Sequence, residues 1–334
     1  MALGKRAYSS TGSAPASTPG KRPGRTSGDE AHLSITTIIP TVGRPALRRA
    51  VESVLTQDGP GFSAEVVVVN DTGAPLPVEG WQESARVRVV RTPAPKSRPA
   101  IGRNVGAEAA SGHFLHFLDD DDWLLPGAFA AFVQAHRAAP EARWLYGIVE
   151  RVTREGTRVD RLPPDLEGNV LAALISGEWM PLQGTLIRRD LFDETGGFDP
   201  TSPPSEDMDL LLRLGLIDDV YRVRQPVCAY SMGVEESATP RHLCSVRLFE
   251  AFERLFDRPN TRARAVASAT SPHLGGKVLR HYLISVKKAL RQREGRTLAR
   301  RLLDVGRLLL GARRHVLSPS YWRAVRSPRA GATP

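Results

Sequence analysis

Cysteine is scarce in this chain. Only Cys228 and Cys244 occur among 334 residues, too few for a disulfide framework or a cysteine metal cluster, so both are expected to be reduced and structural. Long apolar runs are also missing. No stretch reaches the ~18 apolar residues of a membrane span, and the opening MALGKRAYSSTGSAPAS lacks the apolar centre of a secretory signal. The expectation is a cytoplasmic chain. A third shortage is local: the central body lacks excess positive charge. The whole chain carries 46 Lys/Arg against 36 Asp/Glu, but residues 1–31 hold five against two and residues 271–334 hold fifteen against two, which leaves 26 against 32 between them. A protein acting mainly on nucleic acid more often carries its basic patch on the folded domain. That reading is disfavoured, though basic ends keep it as an alternative.

The 41% apolar content is that of a globular protein with a well-buried core. Residues 1–31, rich in Ser, Thr, Pro and Gly, read as a disordered basic tail. Order is expected from Leu33. SITTII, EVVVV at Glu65–Val69, VRVV between Arg86 and Arg91, and HFLHFL at His113–Leu118 read as strands, the first two β-branched enough to be buried on both faces. Helices are expected from Pro45 to Gln57, Ile101 to Ser111 and Pro126 to Ala139. Strands alternating with helices predict a doubly wound α/β sheet, whose ligands gather beyond the carboxyl ends of the strands. Pro40, Thr41, Asp71 and Asp119–Asp122 all fall there. Beyond Trp144 the pattern becomes antiparallel-like, and Ser205-Glu206-Asp207 opens a further helix with acids in its first turn.

The run Asp119–Asp122 is the densest chemical signal. Four adjacent carboxylates repel one another unless a cation sits among them. At a buried strand's end they suit Mg²⁺ or Mn²⁺, which favour carboxylate oxygen and share their shell with substrate phosphates. A solvated turn capping the next helix is the plainer alternative.

Taken in order, IIPTVGRPALRRAVESVLTQ, VVVVNDTG, GRNVGAEAASGHFLHFLDDDDWLLPG and GGFDPTSPPSEDMDLLLRL resemble the family 2 glycosyltransferases, inverting enzymes of GT-A fold, over roughly residues 33–230. The resemblance implies a Rossmann-like mixed sheet and transfer of a sugar from a UDP, dTDP or GDP sugar to an acceptor hydroxyl, glycan or lipid-linked, as in cell-surface polysaccharide synthesis. It implies Asp119 and Asp121 as the pair holding Mn²⁺ or Mg²⁺, and Asp120 toward the ribose. Asp71, Thr41 and Pro40 are assigned to the nucleoside, Arg103 to nucleotide or phosphate, Glu206 to the donor site beside it, and Asp207 to the general base. Trp179–Gln183 lies where such enzymes shape the sugar and acceptor site; Trp179 as a core residue stays equally open. A silent sugar-nucleotide or glycan-binding module is the alternative from another class.

Three departures from the family's pattern stand out. The second strand ends Asn70-Asp71-Thr72-Gly73, the first loop reads Val42-Gly43-Arg44, and Ser231-Met232-Gly233 brings no histidine after Tyr230, although His242 lies nearby as either ligand or structural residue. The expected division is a tail at 1–31, a catalytic domain at 32–270 and a basic amphipathic helical extension at 271–334. In that extension Leu279, Leu283, Val286 and Leu290 share one helical face, and Leu298, Leu302, Val305 and Leu309 another. Residues 275–325 are compatible with peripheral contact at the inner face of a membrane, with packing on the core, or with an oligomer.

Overall fold

The computed structural model describes residues 32–153, 155–162, 166–201, 205–232, 250–258 and 260–326. The expected tail, His242 and Cys244 lie outside the described residues. The described residues form one compact unit.

Its centre is β1 (Leu33–Thr41), which pairs in parallel with β2 (Phe62–Asn70) on one side and β4 (Phe114–Phe117) on the other; β3 (Val87–Arg91) lies parallel outside β2. Val66–Val69 are fully buried, as an unbroken β-branched run covered on both faces must be. Beyond β4 the order continues through β8 (Thr185–Arg188), β6 (Trp144–Val152), β9 (Tyr221–Ser231) and the two-residue β5 (Trp123–Leu124), with β7 (Arg158–Arg161) alongside β6. The β4–β8, β8–β6 and β9–β5 pairs are antiparallel, but β6 and β9 run parallel. The antiparallel expectation beyond Trp144 therefore fails for one pair. The chain between β6 and β9 is long enough for a helical crossover, and such a connection returns a strand in the parallel sense.

Helices α1 (Leu47–Leu55), α2 (Pro99–Ala109) and α3 (Ala128–Ala138) are shorter or shifted relative to expectation by a few residues. Helix α2 starts early because Pro99 occupies the first turn, where its missing N–H costs nothing. Gly106 lets α2 approach the sheet: a Cβ there would lie 2.2 Å from Ile38 Cγ2 and 2.9 Å from Val69 Cγ2. Three further helices, α4 (Leu171–Ser176), α5 (Arg189–Thr195) and α6 (Glu206–Ile217), complete the sheet-bearing part.

The last part is helical: α7 (Thr261–Ser268), α8 (Pro272–Arg291), α9 (Gly295–Gly311), α10 (Arg313–Val316) and α11 (Pro319–Arg326). Helix α8 packs against α4, α9 and α11. Its buried face is Val278, Leu279, Tyr282, Ser285 and Ala289, whereas Leu283 and Leu290 are exposed. On α9 Arg301 and Leu308 are buried and Leu302 is exposed. The apolar faces expected from spacing are thus only partly the ones that pack. These helices carry more apolar positions than one contact stripe needs, and the neighbours' shape selects among them.

Candidate active site

The strand order reverses at β1, with β2 and β3 to one side and β4 to the other. Two adjacent parallel strands whose connections leave in opposite directions open a crevice at their carboxyl ends. Thr41 ends β1 and the aspartate run follows β4, so the topology brings them together. Across the gap the Thr41 hydroxyl donates to Asp120 Oδ2 at 2.6 Å and receives the Gly43 N–H at 2.9 Å.

Asp119–Asp122 form a turn closed by the Asp122 N–H on the Asp119 carbonyl, and its carboxylates share partners, Gln183 serving Asp119 and Asp122 and Arg44 serving Asp120 and Asp121. Asp119 accepts from Arg103 Nη2 at 2.8 Å and Gln183 Nε2 at 2.7 Å. Asp120, 1% exposed, is bound by Thr41 and by the Arg44 guanidinium. Asp121 is half-buried and lies 3.7 Å from Arg44. Asp122 is enclosed, accepting from the Ser231 N–H and Gln183 Nε2, both at 2.8 Å. It ties the turn to β9, whereas α3 has Gly127 at its N-cap and no side-chain cap bond; the helix-capping alternative fails here. Burial, aided by Asp119, raises the pKa of both Asp121 and Asp122. The cluster retains a deficit of positive charge even with two arginines in place.

Arg103 joins this turn to the start of α6. Its side chain is buried, with Nη1 donating to Glu206 Oε1 at 3.0 Å and the guanidinium carbon 5.4 Å from the Phe198 ring centre. Burial opposes its charge, but Asp119, Glu206 and Asp207 outweigh that and raise its pKa. Asn104 beside it bonds both the N–H and the carbonyl of Phe198, at 2.9 Å each. The two residues pin the approach to α6 from α2.

Asp207 follows Glu206 in the first turn of α6 and is half-buried; its Oδ1 receives the Met208 N–H at 2.7 Å. Burial, reinforced by Glu206 and opposed by Arg103, raises its pKa to about 6. A carboxylate so tuned binds a proton more readily than an ordinary aspartate yet is ionised at neutral pH. Glu206 keeps its Oε2 enclosed without a hydrogen bond among the described residues.

Asp71 stands at the end of β2, where its Oδ1 accepts from Thr92 Oγ1 at 2.6 Å and the Ser97 N–H at 2.8 Å, organising the loop before α2. That loop holds Lys96 and Arg98 at positive φ, 57° and 83°, a conformation uncommon outside glycine and found most often near ligand sites. Pro40 sits in β1 opposite Val69, against Gly102 of α2. Trp179 packs edge-to-face on Tyr230 with ring centres 5.3 Å apart.

Sequence reasoning gave two participants no role of their own. Gln183, expected only as the end of the Trp179–Gln183 segment near the sugar and acceptor site, bridges Asp119 and Asp122 from the short turn that leads into β8. Arg44 was visible only as a departure from a pattern, and its partner Asp120 lies 76 residues away. Among the described residues no group of three His, Cys, Asp or Glu side chains converges to hold a metal. The donor set nevertheless fits a hard cation of Mg²⁺ type: carboxylate oxygens at Asp119 and the part-exposed, charge-deficient Asp121, with substrate phosphate able to complete the shell.

A nine-stranded mixed sheet flanked by helices is the architecture of the GT-A glycosyltransferases. The family model for glycosyl transferase family 2 matches residues 36–196. An uncharacterized glycosyltransferase of Bacillus subtilis, YwdF, is 29% identical over 201 residues, covering 59% of this chain and 72% of the relative. The Campylobacter jejuni GalNAc(5)-diNAcBac-PP-undecaprenol beta-1,3-glucosyltransferase is 32% identical over 105 residues, 30% of this chain and 33% of that enzyme. The crystal structure of S. aureus TarS 1-349 in complex with UDP-GlcNAc superposes with a TM-score of 0.51 at 14% identity, covering 84% of this chain and 92% of that one; at that identity it speaks for the fold alone. What the chain shares with glycosyl transferase family 2 is the matched segment 36–196, just under half of its length, together with a sheet of GT-A architecture.

Proposed function

We propose that this chain transfers a sugar from a nucleotide-diphosphate sugar to an acceptor hydroxyl with inversion, with a divalent cation bound by Asp119 and Asp121. The observation that carries the reading is the Asp119–Arg103–Glu206 chain, which brings the aspartate turn to the helix start bearing Asp207. Asp207 takes the proton from the acceptor hydroxyl as it attacks the anomeric carbon on the face opposite the leaving diphosphate. One base and no covalent intermediate invert the configuration. Arg103 holds Glu206 and places its positive charge beside the turn. Thr41, Asp71 and Asp120 line the nucleoside end, with Pro40 shaping its floor; there Asp120 exchanges its Arg44 contact for the ribose. A bound Mn²⁺ or Mg²⁺ supplies Lewis-acid stabilisation of the departing diphosphate. A UDP sugar is the donor favoured by the TarS complex with UDP-GlcNAc, and a lipid-linked acceptor by the undecaprenol-linked substrate in the Campylobacter enzyme's name.

Thermal shift with UDP, dTDP and GDP tests the donor half. One diphosphate is expected to raise Tm in the presence of Mn²⁺ and less so in its absence, because a ligand bound only to the native state stabilises it. Asp121→Asn is expected to erase the metal-dependent part. Equal shifts in both proteins would remove Asp121 from the metal site.

A further inference from the structure

Helix α9 presents a face that transfer chemistry does not use. Its inner side is anchored by Arg301, whose guanidinium donates to Ser285 Oγ at 2.9 Å, the Phe256 carbonyl at 3.2 Å and Asp257 at 2.8 Å. Its outer side exposes leucine: Leu303 is 59% and Leu310 75% exposed, and past the next short helix Leu317 is 90% exposed. Isolated exposed leucines are ordinary, but a run of them along one helix marks an interaction surface.

The same side is basic. At ~100° per residue, Arg296, Arg300 and Arg307 fall with Leu303 and Leu310 inside an arc of roughly 80°. All three arginines are exposed, as are Arg313 and Arg314 in the next turn. Arg300 pairs with Asp257. The two acids within residues 271–334 do not offset this arc: Glu294 precedes α9, and Asp304 is turned toward Arg262 at 4.0 Å.

Charge selects the occupant. A second copy would set one row of guanidiniums against another. A nucleic-acid duplex would satisfy the arginines but leave the leucines against phosphate and water. An anionic bilayer satisfies both, since leucines enter the headgroup–acyl boundary while arginine stems lie along it with their heads among the phosphates. We infer that the outer face of α9, with Leu303, Leu310 and Leu317 flanked by Arg296, Arg307 and Arg314, docks on an anionic lipid bilayer. This goes beyond the transfer reading and does not depend on it, because vesicle binding requires neither donor nor acceptor.

Flotation of the full chain with phosphatidylcholine vesicles, with and without about a third phosphatidylglycerol, tests it. Binding is expected to the anionic vesicles alone and to weaken as salt shortens the Debye length. Leu303→Glu with Leu310→Glu, and separately Arg296→Glu with Arg307→Glu, are each expected to lower binding at least ~10-fold with an unchanged Tm, since all four side chains are solvent-exposed. Failure to bind anionic vesicles, equal binding to neutral ones, or wild-type binding by both variants would overturn the inference. So would light scattering that shows a lipid-free dimer dispersed by the leucine variant, or duplex DNA binding with the same sensitivity to both pairs of substitutions.

Discussion

Arg103 and Arg307 are both helix arginines within one compact unit, yet one is nearly enclosed and the other faces solvent. The contrast extends to their surroundings. At the β1/β4 edge, charges of both signs arrive from Arg44, Arg103, Asp119–Asp122 and Glu206-Asp207 and are paired in part, with Thr41 and Gln183 adding hydrogen bonds. Along the outer arc of α9, Arg296, Arg300 and Arg307 are laid out by helical spacing and exposed to solvent, Arg300 also pairing with Asp257. Convergence of opposite charges from distant segments makes a place where bonds can be rearranged. Repetition of one sign along a helix makes a surface.

The largest effect expected is on Asp207. Asp207→Asn keeps the shape and removes the proton acceptor, so transfer should fall by about 10²–10⁴-fold while nucleotide binding persists. Transfer at the wild-type rate would take the base role from Asp207. In the wild type the rate should fall as pH drops through about 6, where Asp207 gains its proton. Stability should move the other way. The folded state holds this proton to higher pH than the unfolded chain, so the contribution of Asp207 to stability is fully present below the ordinary aspartate range and is lost as pH rises through about 6. Asp207→Asn should flatten that slope in pH-dependent urea melts.

Next in size is Arg103→Ala, which leaves Glu206 enclosed without its cation and Asp119 with only Gln183. Removing one partner of a buried pair costs about 3–5 kcal/mol, read by urea unfolding. A loss comparable to that of an exposed arginine would collapse the contrast drawn above. The smallest effects belong to α9, where two arginines sharpen the same contrast within one helix. Arg301→Met, which strands the Phe256 carbonyl and the Ser285 hydroxyl, should destabilise by about 1–3 kcal/mol. Arg307→Ala should stay within about 0.5 kcal/mol of wild type.

Much of the candidate site was legible because its chemistry is written locally. Asp119–Asp122 follow an apolar strand, Asp207 opens an acidic helix turn, and Arg103 lies one turn into α2; those spacings place each at a strand end or near a helix start. Their mutual bonds were not legible. Gln183 reaches Asp119 and Asp122 from β8's approach, across an antiparallel pairing that no local pattern encodes. Arg44 meets Asp120 only because β1 and β4 are neighbours. Asp122 looked like a helix cap, and the Ser231 N–H from β9 gave it another task.

By itself the sequence determined the elements and their chemical content: β-branched runs make buried strands, proline and glycine punctuate them, and acids and bases occupy stated positions. Those follow from backbone sterics and periodicity, which act over a few residues. The tertiary structure decided which strands are neighbours, which acid meets which arginine, and which leucines of the last helices pack or face outward. These are contacts between segments far apart in the chain, fixed when the whole molecule finds the packing that encloses its apolar surface and pairs its buried charges.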